Sequence, residues 1–120
     1  MSELVDLQPK TVEKMIDDNS VVMIDVRRED EWLRTGTIKN AHKMTFFDEY
    51  GRHDVKNWMK EFETIVKDKK QTVVLICAHA NRTRTIGNFL IDQGYQNTAH
   101  LFGGMALWQQ ELRETIKHTA

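Results

Sequence analysis

The sequence has one cysteine and one proline among its 120 residues, and each scarcity narrows what the chain can be. A single cysteine excludes an intramolecular disulfide, and the chain cannot resolve its own oxidised thiol. The apolar runs are short, and none has the length that a membrane-spanning helix needs. Because the formal net charge is only -1, general binding to polyanions is not indicated. We therefore expect neither nucleic acid nor a membrane as a partner.

The composition is that of a globular protein, with 40% hydrophobic and 29% charged residues. A chain of this length is expected to form one domain over residues 1–120, large enough for a core without disulfides or metals. The first six residues lack the basic and apolar regions of a signal peptide. A reducing, cytoplasmic setting is the expectation.

Short apolar runs alternate with helical patterns along the chain. Strands are predicted at residues 4–7, 21–24, 41–45, 72–76 and 98–101. The first helix is predicted to start at Pro9, the second to cover residues 28–35, and the third to follow an N-cap at Asp54. The fourth is predicted to run from the loop after Cys77 to Gly94. The fifth is predicted to include Met105, Trp108, Leu112 and Ile116. This alternation predicts an α/β domain with a central, mainly parallel five-stranded sheet flanked by helices.

Cys77 is predicted to lie where a buried strand ends and a helix begins. Sites in parallel sheets lie outside the carboxyl ends of the strands, and unpaired backbone N–H groups gather at a helix start. With Arg82 and Arg84 close behind it, the thiol is expected to ionise readily and to act as a nucleophile beside an anion cradle. The alternative is a buried cysteine that behaves as a small hydrophobe. The small residues and arginine that follow favour the nucleophile.

Three segments carry a resemblance to a known family. They are Asp25-Val26-Arg27 with Glu31-Trp32 and residues 36–41, then Cys77 to Thr83, then Leu101-Phe102-Gly103-Gly104 ending in Trp108. The chain resembles the rhodanese-like domains, and especially small single-domain bacterial thiosulfate sulfurtransferases, from about Val21 to Trp108.

The resemblance implies a three-layer fold and a sulfur-transfer reaction. Cys77 would take sulfane sulfur from a small donor, thiosulfate or a persulfide, and pass it from a Cys77 persulfide to cyanide or to a thiol, including a thiol on a protein. No cofactor and no metal are implied. The substrate-binding loop would comprise Ala78, His79, Ala80, Asn81, Arg82 and Thr83. Arg82 is the main side chain expected to hold a donor's sulfonate, because its forked donors suit an oxyanion.

The chain departs from the family pattern in two places. Ala80 stands where the family often has glycine, and a left-handed backbone there would cost alanine more than glycine. Thr37 and Asn40 stand where the first signature often has histidine and glycine. Those two positions are expected to affect the fold rather than the activity.

For several polar residues, a structural role competes with a functional one. Asp25 and Arg27 are expected to form a structural ion pair rather than to line the pocket. His79 would tune the thiolate or contact substrate, and Arg84 would either add positive potential or be solvated. Trp108 is expected in the core. The remaining histidines show no metal-ligand spacing, and they are His42, His53, His100 and His118.

Two other functions stay open at this point. Cysteine loops with an arginine also serve phosphatases and arsenate reductases, which resemble one another in placing arginine six residues after the cysteine. Here arginine is the fifth residue and Thr83 the sixth, so the loop is one residue tighter. A non-catalytic rhodanese-like binding module is the third interpretation, although such modules usually lack the cysteine.

Overall fold

The central sheet is built from five short strands, all of them parallel. The computed structural model describes residues 3–119, and its strands are β1 (Val5–Leu7), β2 (Val21–Asp25), β3 (His42–Lys43), β4 (Thr72–Ile76) and β5 (Thr98–Leu101). The helices are α1 (Pro9–Met15), α2 (Glu29–Thr35), α3 (Val55–Ile65), α4 (Asn81–Asp92) and α5 (Gly104–Gln110). The strand order is β1-β5-β4-β2-β3. The predicted α/β fold with a five-stranded parallel sheet is confirmed.

Strand β4 lies at the centre of the sheet, between β5 and β2, and both of its faces are covered. Val73 and Leu75 belong to one apolar cluster, which includes residues of α3 and α4. Val74 and Ile76 belong to a second cluster, formed with residues of α1 and α5. Successive strand residues point to opposite faces, so a run that is apolar throughout requires a layer of helices on each side. This arrangement produces the three layers.

Helix α3 follows the predicted amphipathic pattern closely. Its N-cap is Asp54, whose side chain accepts a hydrogen bond from the backbone N–H of Asn57 at 3.2 Å. Trp58 and Phe62 are buried and stack on each other with ring centroids 5.3 Å apart. These aromatic residues therefore belong to the core. No helix within residues 3–119 combines the length and apolar character needed to cross a membrane.

The prediction for the last helix is wrong at its carboxyl end. Helix α5 stops at Gln110, and Leu112 has a left-handed backbone with φ 56 and is 91% exposed. The chain then turns back, and Ile116 exchanges backbone hydrogen bonds with Thr37 at 2.7 and 2.8 Å. The apolar spacing continued past the point where the backbone leaves the helix, so periodicity alone overestimated its length.

Strand β3 is also shorter than predicted, covering two residues instead of residues 41–45. The backbone N–H of Met44 still donates to Asp25 O at 2.9 Å, and that of Phe46 donates to Val26 O at 3.2 Å. The segment therefore stays attached to the end of β2 without forming a longer regular ladder. This edge of the sheet lies beside the carboxyl end of β2.

Candidate active site

Cys77 lies where the sequence predicts, directly after β4 and four residues before the start of α4. It is the one cysteine of the chain, and only 1% of the residue is exposed. The segment 78–80 connects the strand to the helix. A nucleophile at this position lies at the carboxyl end of the central strand, with the amino end of α4 beside it.

The backbone N–H groups of residues 78–83 are unused. Within the described part of the chain, none of these six groups donates a hydrogen bond to another protein atom. The first three N–H groups of α4 have no partner within the helix, as at any helix start, and loop residues 78–80 contribute three more unpaired N–H groups. Unpaired N–H groups at a helix start favour a small anion, and here they follow directly on the buried Cys77.

The loop's carbonyl groups are held from the other side, by the amino end of α5. Met105 N–H donates to Cys77 O at 2.8 Å, and Ala106 N–H donates to Ala78 O at 3.0 Å. Gly104 packs directly beneath them, and a Cβ on it would lie 2.5 Å from Cys77 O. From the sequence, Gly104 is placed only within the closing segment of the family resemblance. Its contact with the loop depends on two segments distant in the chain.

Arg82 is engaged by a carboxylate from α2. Its Nη1 and Nη2 donate to the two oxygens of Glu31 at 2.8 and 2.7 Å. This contact with Glu31 raises the pKa of Arg82 above its ordinary value. Burial alone would raise the pKa of the Glu31 carboxyl, but the hydrogen bonds from Arg82 and from the Arg28 backbone outweigh burial and lower that pKa. The pair ties the start of α4 to α2, a contact that sequence reasoning missed.

Thr83 is the loop residue whose side chain contacts the cysteine. It is fully buried, and its Oγ1 lies 3.5 Å from Cys77 Sγ. The same oxygen lies 2.8 Å from Nδ1 of His100, a buried residue of β5 whose Nε2 is hydrogen-bonded to Asp6. Sequence reasoning considered His100 only as a metal ligand. The usable signal was a lone histidine inside a short strand that is otherwise small or apolar.

The family model for the Rhodanese-like domain matches residues 8–111. The chain belongs to the rhodanese-like family. A tRNA uridine(34) hydroxylase from Staphylococcus aureus strain JH9 is 29% identical over 107 residues, which cover 88% of this chain and 31% of that protein. The chain thus spans about a third of the length of this curated relative.

Solved structures share the fold of this rhodanese-like domain at lower identity. A polysulfide-sulfur transferase homodimer from Wolinella succinogenes aligns with a TM-score of 0.73 and 23% identity, covering 97% of this chain and 80% of that one. A Rhodopseudomonas palustris protein of unknown function, described as a possible tyrosine phosphatase, aligns with a TM-score of 0.70 and 18% identity, covering 94% and 85%. At such identities the likeness shows the fold alone.

The remaining candidate residues of the rhodanese-like domain fall into two groups. Asp25 and Arg27 are buried and paired at 2.8 Å, and Arg27 also donates to Thr35 Oγ1 and Gly36 O, at 2.7 and 2.9 Å. This pair joins the end of β2 to the end of α2, which is the structural role predicted. The other group lies at the loop surface, where the side chains of His79, Asn81 and Arg84 are exposed.

Two of the three residues that depart from the family pattern have a left-handed backbone. Ala80 has φ 71, and Asn40 has φ 70. Asparagine tolerates this region better than most residues, and the Asn40 side chain donates to Ile16 O at 2.9 Å. Alanine has no such compensation. The strain is therefore concentrated at Ala80, inside the loop of the rhodanese-like site.

Replacing Ala80 with glycine is expected to stabilise the fold by about 1 kcal/mol, because relief of left-handed strain exceeds the added entropy of the unfolded chain. The midpoint of denaturant unfolding measures the change. Ala78→Gly is the matched control, since Ala78 lies in the same loop without a positive φ, and its midpoint should fall. A lower midpoint for Ala80→Gly would reject the strain argument.

Replacing Arg82 with alanine is expected to slow sulfur loading from thiosulfate about tenfold to a hundredfold, the effect of losing a charge-assisted contact. Discharge to cyanide, which has no sulfonate, should change much less. A guanidinium carries five N–H donors, so Arg82 keeps donors for a sulfonate while Glu31 takes two. Single-turnover rates of the two half-reactions measure both effects.

Glu31→Gln separates sulfonate binding from loop anchoring. The amide preserves the shape of the Glu31 side chain but removes the charge that holds Arg82 on α2. If Arg82 holds the sulfonate, this variant loads sulfur far better than Arg82→Ala. Equal damage in the two variants would mean that Arg82 only anchors the loop, and unchanged loading in Arg82→Ala would mean that backbone groups alone hold the donor.

Proposed function

We propose that this rhodanese-like domain is a sulfurtransferase. It moves sulfane sulfur from thiosulfate or a persulfide donor to a thiol or cyanide acceptor through a persulfide on Cys77. The observation that carries the proposal is the position of Cys77 at a loop whose six backbone N–H groups, on residues 78–83, have no hydrogen-bond acceptor within residues 3–119. A terminal persulfide sulfur is a small anion, and preorganised N–H donors in a water-poor site stabilise such a charge strongly.

The reaction divides into two displacements at sulfur. In loading, the Cys77 thiolate attacks the outer sulfur of thiosulfate, an S–S bond forms, and sulfite leaves with the electron pair of the broken S–S bond. In discharge, cyanide attacks the terminal sulfur and departs as thiocyanate, or a thiolate attacks and departs as a persulfide. Each discharge returns Cys77 as a thiolate. Covalent catalysis of this kind needs a reactive sulfur and a stabilised intermediate, with no cofactor.

The burial of the nucleophile supports a small donor. Only 1% of Cys77 is exposed, which favours a small donor over a bulky one. Phosphatases must seat a bulky tetrahedral phosphate over the cysteine, and the enzymes of that class place arginine at the sixth position. Here Thr83 takes that position, and its side chain is buried against the cysteine. Negligible turnover of an aryl phosphate is therefore expected.

Intact-protein mass spectrometry tests the proposal. The reduced protein is incubated with thiosulfate and should gain the mass of one sulfur, and cyanide should then remove that mass and release thiocyanate. A persulfide donor replaces thiosulfate in a parallel sample, which distinguishes the two donor classes. Failure to gain sulfur from either donor would overturn the function, as would robust phosphatase turnover that depends on Cys77.

A further inference from the structure

A continuous line of hydrogen bonds joins the buried cysteine to a carboxylate at the protein surface. Cys77 Sγ lies 3.5 Å from Thr83 Oγ1, and that oxygen lies 2.8 Å from His100 Nδ1. The Nε2 atom of His100 is hydrogen-bonded to Asp6, whose side chain is 49% exposed. Three polar groups from α4, β5 and β1 thus lie in sequence between the sulfur and solvent.

The hydrogen positions along this line follow from the partners. Asp6 offers an acceptor, so Nε2 of His100 carries the hydrogen and the neutral ring leaves Nδ1 as an acceptor. The Thr83 hydroxyl has a single hydrogen to donate. Its oxygen lies 2.8 Å from His100 Nδ1, closer than the alternative acceptor, Ala80 O, at 3.2 Å. When the Thr83 hydroxyl donates its hydrogen bond to His100 Nδ1, the Thr83 oxygen can accept a hydrogen bond from the thiol of Cys77. Each hydrogen bond along this line is then donated in the direction from Cys77 toward Asp6.

We propose that Thr83, His100 and Asp6 form a proton relay for Cys77, an assignment that rests on the proposed nucleophilic function of this thiol. As Cys77 attacks a donor, its proton passes to Thr83 Oγ1 while the Thr83 hydroxyl proton passes to His100 Nδ1. After the transfer, the Cys77 sulfur has lost its proton, Thr83 is again a neutral hydroxyl, and His100 is an imidazolium whose Nε2–H still donates to Asp6. No electron is transferred, and the proton leaves through His100 or returns when Cys77 is regenerated.

The surroundings of His100 suit a proton acceptor at neutral pH. The charged or titratable groups that face it are Asp6 from β1, Arg84 from α4 and, across Thr83, Cys77 at the end of β4. Burial lowers the pKa of His100, Arg84 lowers it further, and Asp6 opposes both. The ring is therefore neutral at neutral pH and able to accept a proton. Asp6 would stabilise the imidazolium once it forms, and protonation in acid would block the relay.

The test measures Cys77 alkylation by iodoacetamide and sulfur loading by thiosulfate, each across a range of pH. At neutral pH, His100→Asn and Thr83→Val should lower both rates about a hundredfold, the low end of what a positioned general acid or base contributes. Asp6→Asn should cause a smaller loss, about threefold to tenfold, because a half-exposed charge is screened by water. All three should approach the wild-type rates in alkali, where solvent removes the thiol proton.

Thr83→Ser is the matched control, because it keeps the hydroxyl and removes only a methyl group; it should retain most of both rates. Losses that do not depend on pH would assign the line a structural role and overturn the relay, as would equal damage in Thr83→Ser and Thr83→Val. Nitrogen NMR of His100 in the reduced protein should show hydrogen on Nε2, and hydrogen on Nδ1 would also overturn it. Alkylation needs no sulfur transfer, so the relay can fail or stand separately from the proposed function.

Discussion

In Cys77→Ser, thiosulfate should leave no sulfur on the protein, and thiocyanate production should fall to the uncatalysed background. A serine hydroxyl is a poor nucleophile toward sulfur, and no other cysteine exists in the chain to accept it. Serine preserves the small side chain and can hydrogen-bond to Thr83 Oγ1, so the loop should keep its shape. Mass spectra with thiosulfate and a colorimetric thiocyanate assay measure the loss.

The control for this variant is its own stability. Because the replacement is nearly isosteric, its unfolding free energy should stay within about 1–2 kcal/mol of wild type, and the loss of sulfur transfer would then be chemical. Sulfur that still loads onto Cys77→Ser would show that another group accepts it. That result would exclude Cys77 as the nucleophile.

Gly104→Ala should destabilise the fold strongly and displace the loop after Cys77. The residue has φ 61, and a Cβ would lie 2.5 Å from Cys77 O, against backbone that has no side-chain freedom to yield. Left-handed strain and overpacking together should destabilise the fold by about 2–5 kcal/mol. If the fold survives, the loop carbonyls must move from α5, and sulfur loading should drop sharply because the N–H groups move with them.

Gly51→Ala is the matched control for Gly104→Ala. Gly51 has a similar backbone, with φ 77, but a Cβ there meets no atom within 4 Å in the described structure. This variant carries the left-handed strain alone, about 1–2 kcal/mol. Denaturant unfolding of both variants isolates the contact with the loop. Similar midpoints would show that the packing of Gly104 beneath Cys77 contributes little to the stability of the fold.

The sequence by itself determined the fold class and the position of the candidate nucleophile, Cys77. The run of residues 73–76 is apolar without alternation, which requires a strand covered on both faces, and Cys77 follows it directly. Local signals of this kind depend on neighbours in the chain, such as the Asp54 cap of α3 and the period of its apolar residues. Where the backbone departed from a continuing apolar pattern, at Leu112, the same signals predicted helix in error.

Only the tertiary structure decided which residues surround the sulfur. Glu31 reaches Arg82 across 51 positions of sequence, and Asp6 reaches His100 across 94. The parallel sheet brings these residues together because β1 pairs with β5 and β2 with β4, a strand order that no short-range pattern encodes. Gly104 likewise lies beneath the loop only because α5 returns to the end of β4. The place of Cys77 after a buried strand is a local feature, whereas the hydrogen bonds and charges around it come from segments that folding places beside it.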